Sequence, residues 1–236
     1  MAKVTEGTSG SDGVIIIADS TTEPVLEVRL ATDAHNRLEI LGDGTIRTGD
    51  GGSSRLASSA SYLGHAIDGQ ETFPRIFAQG ACTLSTGNLR VAYFTAERTR
   101  VTTQVRAFVA TTGAAATPTL ARIGVYSVAD NGDLTLVAST ANDTSLFATI
   151  GAGYTRALTS SLTLVQGQRY AAGPLVVTGV TAPNVMGIGL GSGSSVALAD
   201  TPRMNGQVSG QTDLPASVPA ASVVATGSMP WVVLLP

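Results

Sequence analysis

The 236-residue sequence is poor in several residue types, and each shortage excludes something. It has one cysteine, Cys82, so no disulfide can form within the chain. Cys82 lies in an apolar run from Ile76, where a buried, inert thiol is the ordinary reading. Only two histidines occur, His35 and His65, and neither has a second His or Cys at zinc-ligand spacing. Asp33 and His35 sit together in turn sequence, which suits capping more than chemistry. A Ser-His-Asp triad has little to draw on, and no Gly-x-Ser-x-Gly elbow is present. No apolar run approaches the roughly 18–20 residues of a membrane span, and residues 1–6 lack the apolar core of a signal peptide. The expectation is therefore no membrane insertion and no export signal.

Charge is also scarce. Asp, Glu, Lys and Arg make up 13% of the chain, about half the roughly 25% of ordinary soluble domains. Lys3 is the sole lysine among fourteen basic residues. Up to Arg75 there are eleven acidic and six basic residues; beyond it there are six acidic and eight basic, which together give the overall −3. No basic cluster stands out, so nucleic acid is not an expected partner. A chain with so few charges tends to self-associate, and an assembly that hides subunit surface fits that composition.

What the chain does have is β-forming sequence: mean hydropathy is +0.24, 43% of residues are apolar, and Ala, Thr, Val, Ser and Gly dominate. The organising stretch is Arg37 to Gly51. Leu38 and Ile40 share one face with Glu39 on the other, Gly42-Asp43-Gly44 supplies a turn, Ile46 begins a return strand, and Gly49-Asp50-Gly51 ends it. Residues 14–18 and the alternating Leu26-Glu27-Val28-Arg29-Leu30 predict further strands. Three or four short strands about ten residues apart need a second apolar layer. The Gly- and Ser-rich stretch that follows offers none, so copies of the same chain are expected to supply it. Leu26, Val28, Leu30, Leu38, Ile40 and Ile46 are the candidate oligomerisation residues.

The segment Leu-Glu-Ile-Leu-Gly-Asp-Gly-Thr-Ile-Arg-Thr-Gly-Asp-Gly resembles a "strand, Asp-Gly turn, short strand, Gly-Asp-Gly" element of minor tail and fibre proteins from phages of actinobacteria. The resemblance covers residues 14–51. It implies a slender N-terminal part carrying a β-sandwich head in a virion, with other virion proteins of the tail or capsid as partners. The lone lysine fits a high-GC host.

The domain division that follows is a flexible arm at 1–13, a β stem or oligomerisation module at 14–51, a linker at 52–75, and a head at 76–236. Residues 55–64 place Leu56, Ala60 and Leu63 at helical spacing, and an irregular connector fits equally. In the head, strands are expected near residues 88–100, 101–109, 120–128, 134–138, 146–150, 155–164, 169–177 and 185–190. The 120–128 and 134–138 strands flank Asn131-Gly132 as a hairpin. Many strands with turns every ten residues or so predict an all-β chain whose head is an antiparallel sandwich, jelly-roll-like. Ile123-Gly124-Val125-Tyr126 and Gly167-Gln168-Arg169-Tyr170 also resemble sandwich heads of phage fibres and some carbohydrate-binding modules.

Residues 191–229 are rich in Gly, Ser, Ala and Pro and read as a long loop, of the kind that is functional or packed on a neighbour. Residues 231–236 are apolar and predict a strand paired within a sheet, with Trp231 in the core or at a subunit interface.

Chemistry is sparse. The head holds six acidic residues, Glu97, Asp130, Asp133, Asp143, Asp200 and Asp213, mostly in turn sequence, so a glycosidase pair is not expected. Asp130, Asn131 and Asp133 share one hairpin tip and form the candidate ligand-facing loop, where a calcium ion or a sugar hydroxyl competes with a plain solvated turn. The alternating glycines of Gly187 to Gly193 have no dinucleotide-loop spacing and read as close packing. The expected function is a non-enzymatic virion structural protein without cofactor, a trimer displaying its head for host-surface attachment. A capsid decoration or head fibre protein, and a head that recognises a host cell-surface glycan, are the alternatives.

Overall fold

The computed structural model describes residues 69–111, 118–189 and 200–236, together with the backbone of four strands nearer the N-terminus. The expected arm, the turn at 42–44, Leu30 and the helical spacing at 55–64 lie outside the described residues. The chain divides into two compact units, residues 1–62 and 63–236.

The first unit contains a four-stranded antiparallel meander of β1 (Gly13–Ile15), β2 (Pro24–Arg29), β3 (Arg37–Leu41) and β4 (Ile46–Thr48), paired in chain order. The register sorts its residues into rows. Val14, Val28, Leu38 and Thr48 align across the sheet, and Leu26, Ile40 and Ile46 form the next row on the same face. The intervening row is Ile15, Glu27, Glu39 and Arg47, beside Arg29 and Arg37. The first two rows are apolar except for Thr48, and the charged residues all fall in the intervening rows, together with Ile15.

The second unit carries β5 (Gln70–Glu71), β6 (Gly80–Thr83), β7 (Leu89–Thr95), β8 (Arg100–Phe108), β9 (Leu120–Val128) and β10 (Leu134–Ser139). It continues with β11 (Gly153–Leu164), β12 (Arg169–Val177), β13 (Asn184–Gly189), β14 (Asn205–Val208), β15 (Ser217–Val218), β16 (Ser228–Pro230) and β17 (Val232–Leu235). All pairings are antiparallel. A six-stranded sheet runs β14-β7-β12-β9-β10-β15, a four-stranded sheet β11-β8-β17-β5, and a small sheet β16-β13-β6. Among the described residues no helix is long and apolar enough to cross a membrane.

The strand sequences explain the layering. β8, Arg-Val-Thr-Thr-Gln-Val-Arg-Ala-Phe, largely alternates buried and exposed positions, as a sheet with one wet face requires. β12, Arg-Tyr-Ala-Ala-Gly-Pro-Leu-Val-Val, is buried at seven consecutive positions, so the six-stranded sheet is covered on both sides. On one side Phe94, Ile123, Val125, Tyr170 and Val176 join Val105, Ala107, Leu164, Val232 and Leu234 of the four-stranded sheet in one buried cluster. On the other side Leu89, Val91, Tyr93, Tyr126, Leu134 and Leu175, with Val208 and Val218 of the sheet's own edge strands, cluster with Leu214 and Val223.

That second cover is a correction to the reading of 191–229 as a loop with few anchors. Within its described part, residues 200–229, three short strands form and the segment packs on its own sheet. The anchors are polar. Arg122 forms a 2.7 Å ion pair with Asp213, the Leu136 N–H donates to the Ala216 carbonyl, and buried Asn205 donates to the carbonyls of Thr226 and Ser228. Glycine and proline masked the strands because each is only two to four residues long.

The expected strand at 146–150 is also absent. Asp143 accepts hydrogen bonds from the Ser145 N–H and hydroxyl, and the Leu146 N–H closes back on the Asp143 carbonyl, so the chain turns there. Phe147 sits at φ 70°, and Leu146 and Phe147 are buried from a turn rather than a strand. Gln70–Glu71, in the stretch read as linker, pairs with β17. As expected, β17 lies inside a sheet, between β8 and β5, and Trp231 is buried beside Phe108 with its indole N–H on the Phe73 carbonyl.

Among the described glycines the tightest is Gly173 of β12, where an added Cβ would lie 1.7 Å from the Arg90 carbonyl oxygen of β7. Gly173→Ala should therefore destabilise the head by about 3 kcal/mol, whereas Gly179→Ala, with open space around it, should change the melting temperature little. Differential scanning calorimetry of the two variants makes the comparison. Equal melting temperatures would show that β7 and β12 have room to separate.

Candidate functional site

Beside the doubly covered sheet lies a cleft of about 400 Å³. Five segments line it: Tyr93 of β7, Arg169 at the start of β12, Val128 and the β9–β10 tip (Asp130, Asn131, Gly132), Thr201-Pro202-Arg203 before β14, and Ala220-Ala221. Because β14, β7, β12 and β9 are neighbours in that order, Arg203 belongs to one end of the cleft and the β9–β10 tip to the other.

The tip is fixed by its sequence. Gly132 takes φ 87°, a conformation that glycine adopts without cost, and donates to the Ala129 carbonyl. Asn131 and Asp133 clasp each other: the Asn131 amide donates to Asp133 Oδ2 (2.8 Å), and the Asp133 N–H donates to Asn131 Oδ1 (3.1 Å). Asp133 Oδ1 then accepts the Ala220 N–H at 2.7 Å, tying the tip to the 3₁₀ turn Ala220–Ser222. Those donors, the Ala220 N–H first and the Asn131 amide second, hold the Asp133 carboxyl below its ordinary range.

At the opposite end Arg169 Nη2 donates to the Arg203 carbonyl at 2.9 Å, and its guanidinium lies 5.5 Å from the centre of the Tyr93 ring. Tyr93 is only 7% exposed, and its hydroxyl has no hydrogen-bond partner among the described residues. Burial raises its pKa against the opposing pull of Arg203 and Arg169, so it remains a protonated donor at neutral pH. A buried hydroxyl without a partner costs about 1–3 kcal/mol.

Of the residues expected to face a ligand, Asp130 and Asn131 do line the cleft, while Asp133 is turned to bracing its wall. Among the described residues no group of three or more His, Cys, Asp or Glu is placed to hold a metal ion. Val28, Leu38, Leu26, Ile40 and Ile46 share the apolar rows of the N-terminal sheet. Tyr93, Arg169 and Arg203 were not legible as site residues. Tyr93 reads as core, which it also is; the arginines are isolated in sequence and converge only when β12 and the segment before β14 meet. The usable signal was the length of the 191–229 segment, which supplies Thr201, Pro202, Arg203, Ala220 and Ala221.

A scan against protein-family models finds no family that matches this chain, and a search of curated proteins finds no match either.

Two expectations follow from the geometry. Tyr93→Phe removes an unpaired hydroxyl while keeping the ring, so the ligand-free head should be as stable as wild type or gain about 1 kcal/mol; a loss of that size in urea unfolding would mean that the hydroxyl has a partner. The folded-state pKa of Asp133 is depressed, so its stabilising contribution is present above the ordinary aspartate pKa of about 3.9 and is lost as pH falls through its lower folded value. Melting curves of wild type and Asp133→Asn should differ at neutral pH and converge on acidification below that range. A gap independent of pH would remove the carboxylate from the account.

Proposed function

We propose that this chain is a non-enzymatic structural protein of a phage particle, a tail-associated minor or fibre protein in which the N-terminal sheet assembles as a trimer and the second unit is a displayed, jelly-roll-like sandwich head. The observation that carries the reading is the register of β1–β4. It gathers Val14, Leu26, Val28, Leu38, Ile40 and Ile46 on one face of a four-stranded sheet and Glu27, Glu39 and Arg47 on the other. A sheet of this size needs an apolar layer to be stable, and in a trimer three such faces cover one another. The low overall charge and the likeness of residues 14–51 to actinobacteriophage tail and fibre segments support the same reading. The head, with its recessed cleft, is the part presented to the host surface, and the protein resides in the virion.

Multiangle light scattering of the full chain tests the assembly. Wild type should elute at three times the 23.9 kDa chain mass. Leu38→Glu combined with Ile40→Glu should yield a monomer whose head still unfolds at the wild-type temperature. A wild-type chain that stays monomeric at micromolar concentration overturns the trimer. Gold labelling of intact particles at the capsid rather than the tail would move the protein to a decoration role.

A further inference from the structure

We infer that the cleft between Arg203 and the β9–β10 tip is a binding site for a carboxylate-bearing sugar, a uronate residue of a surface polysaccharide. The role of that sugar as a receptor rests on the display reading above; the chemistry of the cleft stands on its own residues.

Three features select this ligand class. First, Arg169 and Arg203 both line the cleft, and among the described residues neither has a carboxylate within ion-pair distance. Arg169 spends one Nη2 hydrogen on the Arg203 carbonyl, which aligns the two residues and leaves the rest of its fork without a partner among the described residues. Two guanidinium groups at one end of a recess suit a planar, bidentate anion. Second, the Tyr93 hydroxyl is buried and has no partner among the described residues, which is the state of a donor whose acceptor arrives with a ligand. Third, the far end presents Asp130, whose carboxylate takes no hydrogen bond from the described residues, next to Asn131, whose amide is already engaged with Asp133. A free carboxylate acceptor calls for hydroxyl donors on the ligand. A simple anion meets the first demand and not the third, and a neutral sugar meets the third and not the first. A uronate carries its carboxylate and its hydroxyls on one ring, and a cleft of about 400 Å³ lies within the range of small-ligand sites. Arg169 covers the Tyr93 ring, so recognition here runs through hydrogen bonds and charge instead of stacking on that ring.

The test is isothermal titration of the full-length protein with D-glucuronate, D-glucose, acetate and inorganic phosphate, with light scattering on the same sample. Saturable glucuronate binding in the millimolar range is expected, with glucose, acetate and phosphate each at least about tenfold weaker. Arg203→Gln and Tyr93→Phe should each weaken glucuronate by about tenfold, and Asp130→Ala should erase the preference for glucuronate over acetate. Thermal melting of each variant shows whether the head remains folded. Acetate or phosphate binding as tightly as glucuronate, glucose binding equally well, or no saturable binding of glucuronate overturns the inference. A trimer that binds no glucuronate defeats the site and leaves the assembly, whereas a monomer that binds it defeats the assembly and leaves the site.

Discussion

The second unit depends on a six-stranded sheet whose central strands are buried on both sides. β12 is buried at seven consecutive positions and β9 at four, so the centre of the sheet needs two covers. The four-stranded sheet gives one through Val105, Ala107, Leu164, Val232 and Leu234. The segment between β13 and β16 gives the other: Leu214 and Val223 lie outside the sheet and cover this face, while Val208 of β14 and Val218 of β15 widen it as edge strands. Burying a side chain of this kind stabilises by about 1.5–3 kcal/mol, so neither cover is dispensable. The second is irregular because its task is to fill a surface: it needs apolar residues at intervals and polar anchors between them.

The cleft is a by-product of that arrangement. An irregular cover does not reach the sheet's edge uniformly, and beside Tyr93 it leaves a recess walled by Arg203, the β9–β10 tip and Ala220-Ala221. In a chain with so few charges, a pair of arginines and an aspartate in one recess is a local concentration of polarity. The Asp133–Ala220 hydrogen bond sets the wall position, so the brace and the cleft share a single hairpin tip.

Much of the fold was readable from the residues. Alternation located β2, β3 and β7, and β8 and β12 were expected as further strands of the same β-rich sequence. The Asn131-Gly132 pair located the β9–β10 turn, and the greasy stretch after Trp231 located β17. What failed did so for identifiable reasons. Residues 146–150 have strand composition, but Asp143 captured the backbone first and made a turn. β14, β15 and β16 are too short to show a period. The site was half legible: Asp130 and Asn131 stood out as a hairpin tip, while Tyr93, Arg169 and Arg203 are separated by 76 and 34 positions along the chain and meet only through sheet order. Charge scarcity was read only as a sign of assembly, although in such a chain each arginine also has few reasons to be present.

The position of β17 between β8 and β5 has a consequence for biosynthesis. The Val232 N–H donates to the Thr72 hydroxyl across 160 residues of chain, so β5 and the inner edge of β8 wait for their partner until nearly all the intervening polypeptide has left the ribosome. Non-local pairing of this kind is slow, and the waiting strands present unpaired edges in the meantime. Nascent chains arrested before residue 231 are accordingly expected to be protease-sensitive around β8 and prone to chaperone capture, and release of β17 should abolish both. Protection of arrested chains equal to that of the released protein would show that the sheet closes without it.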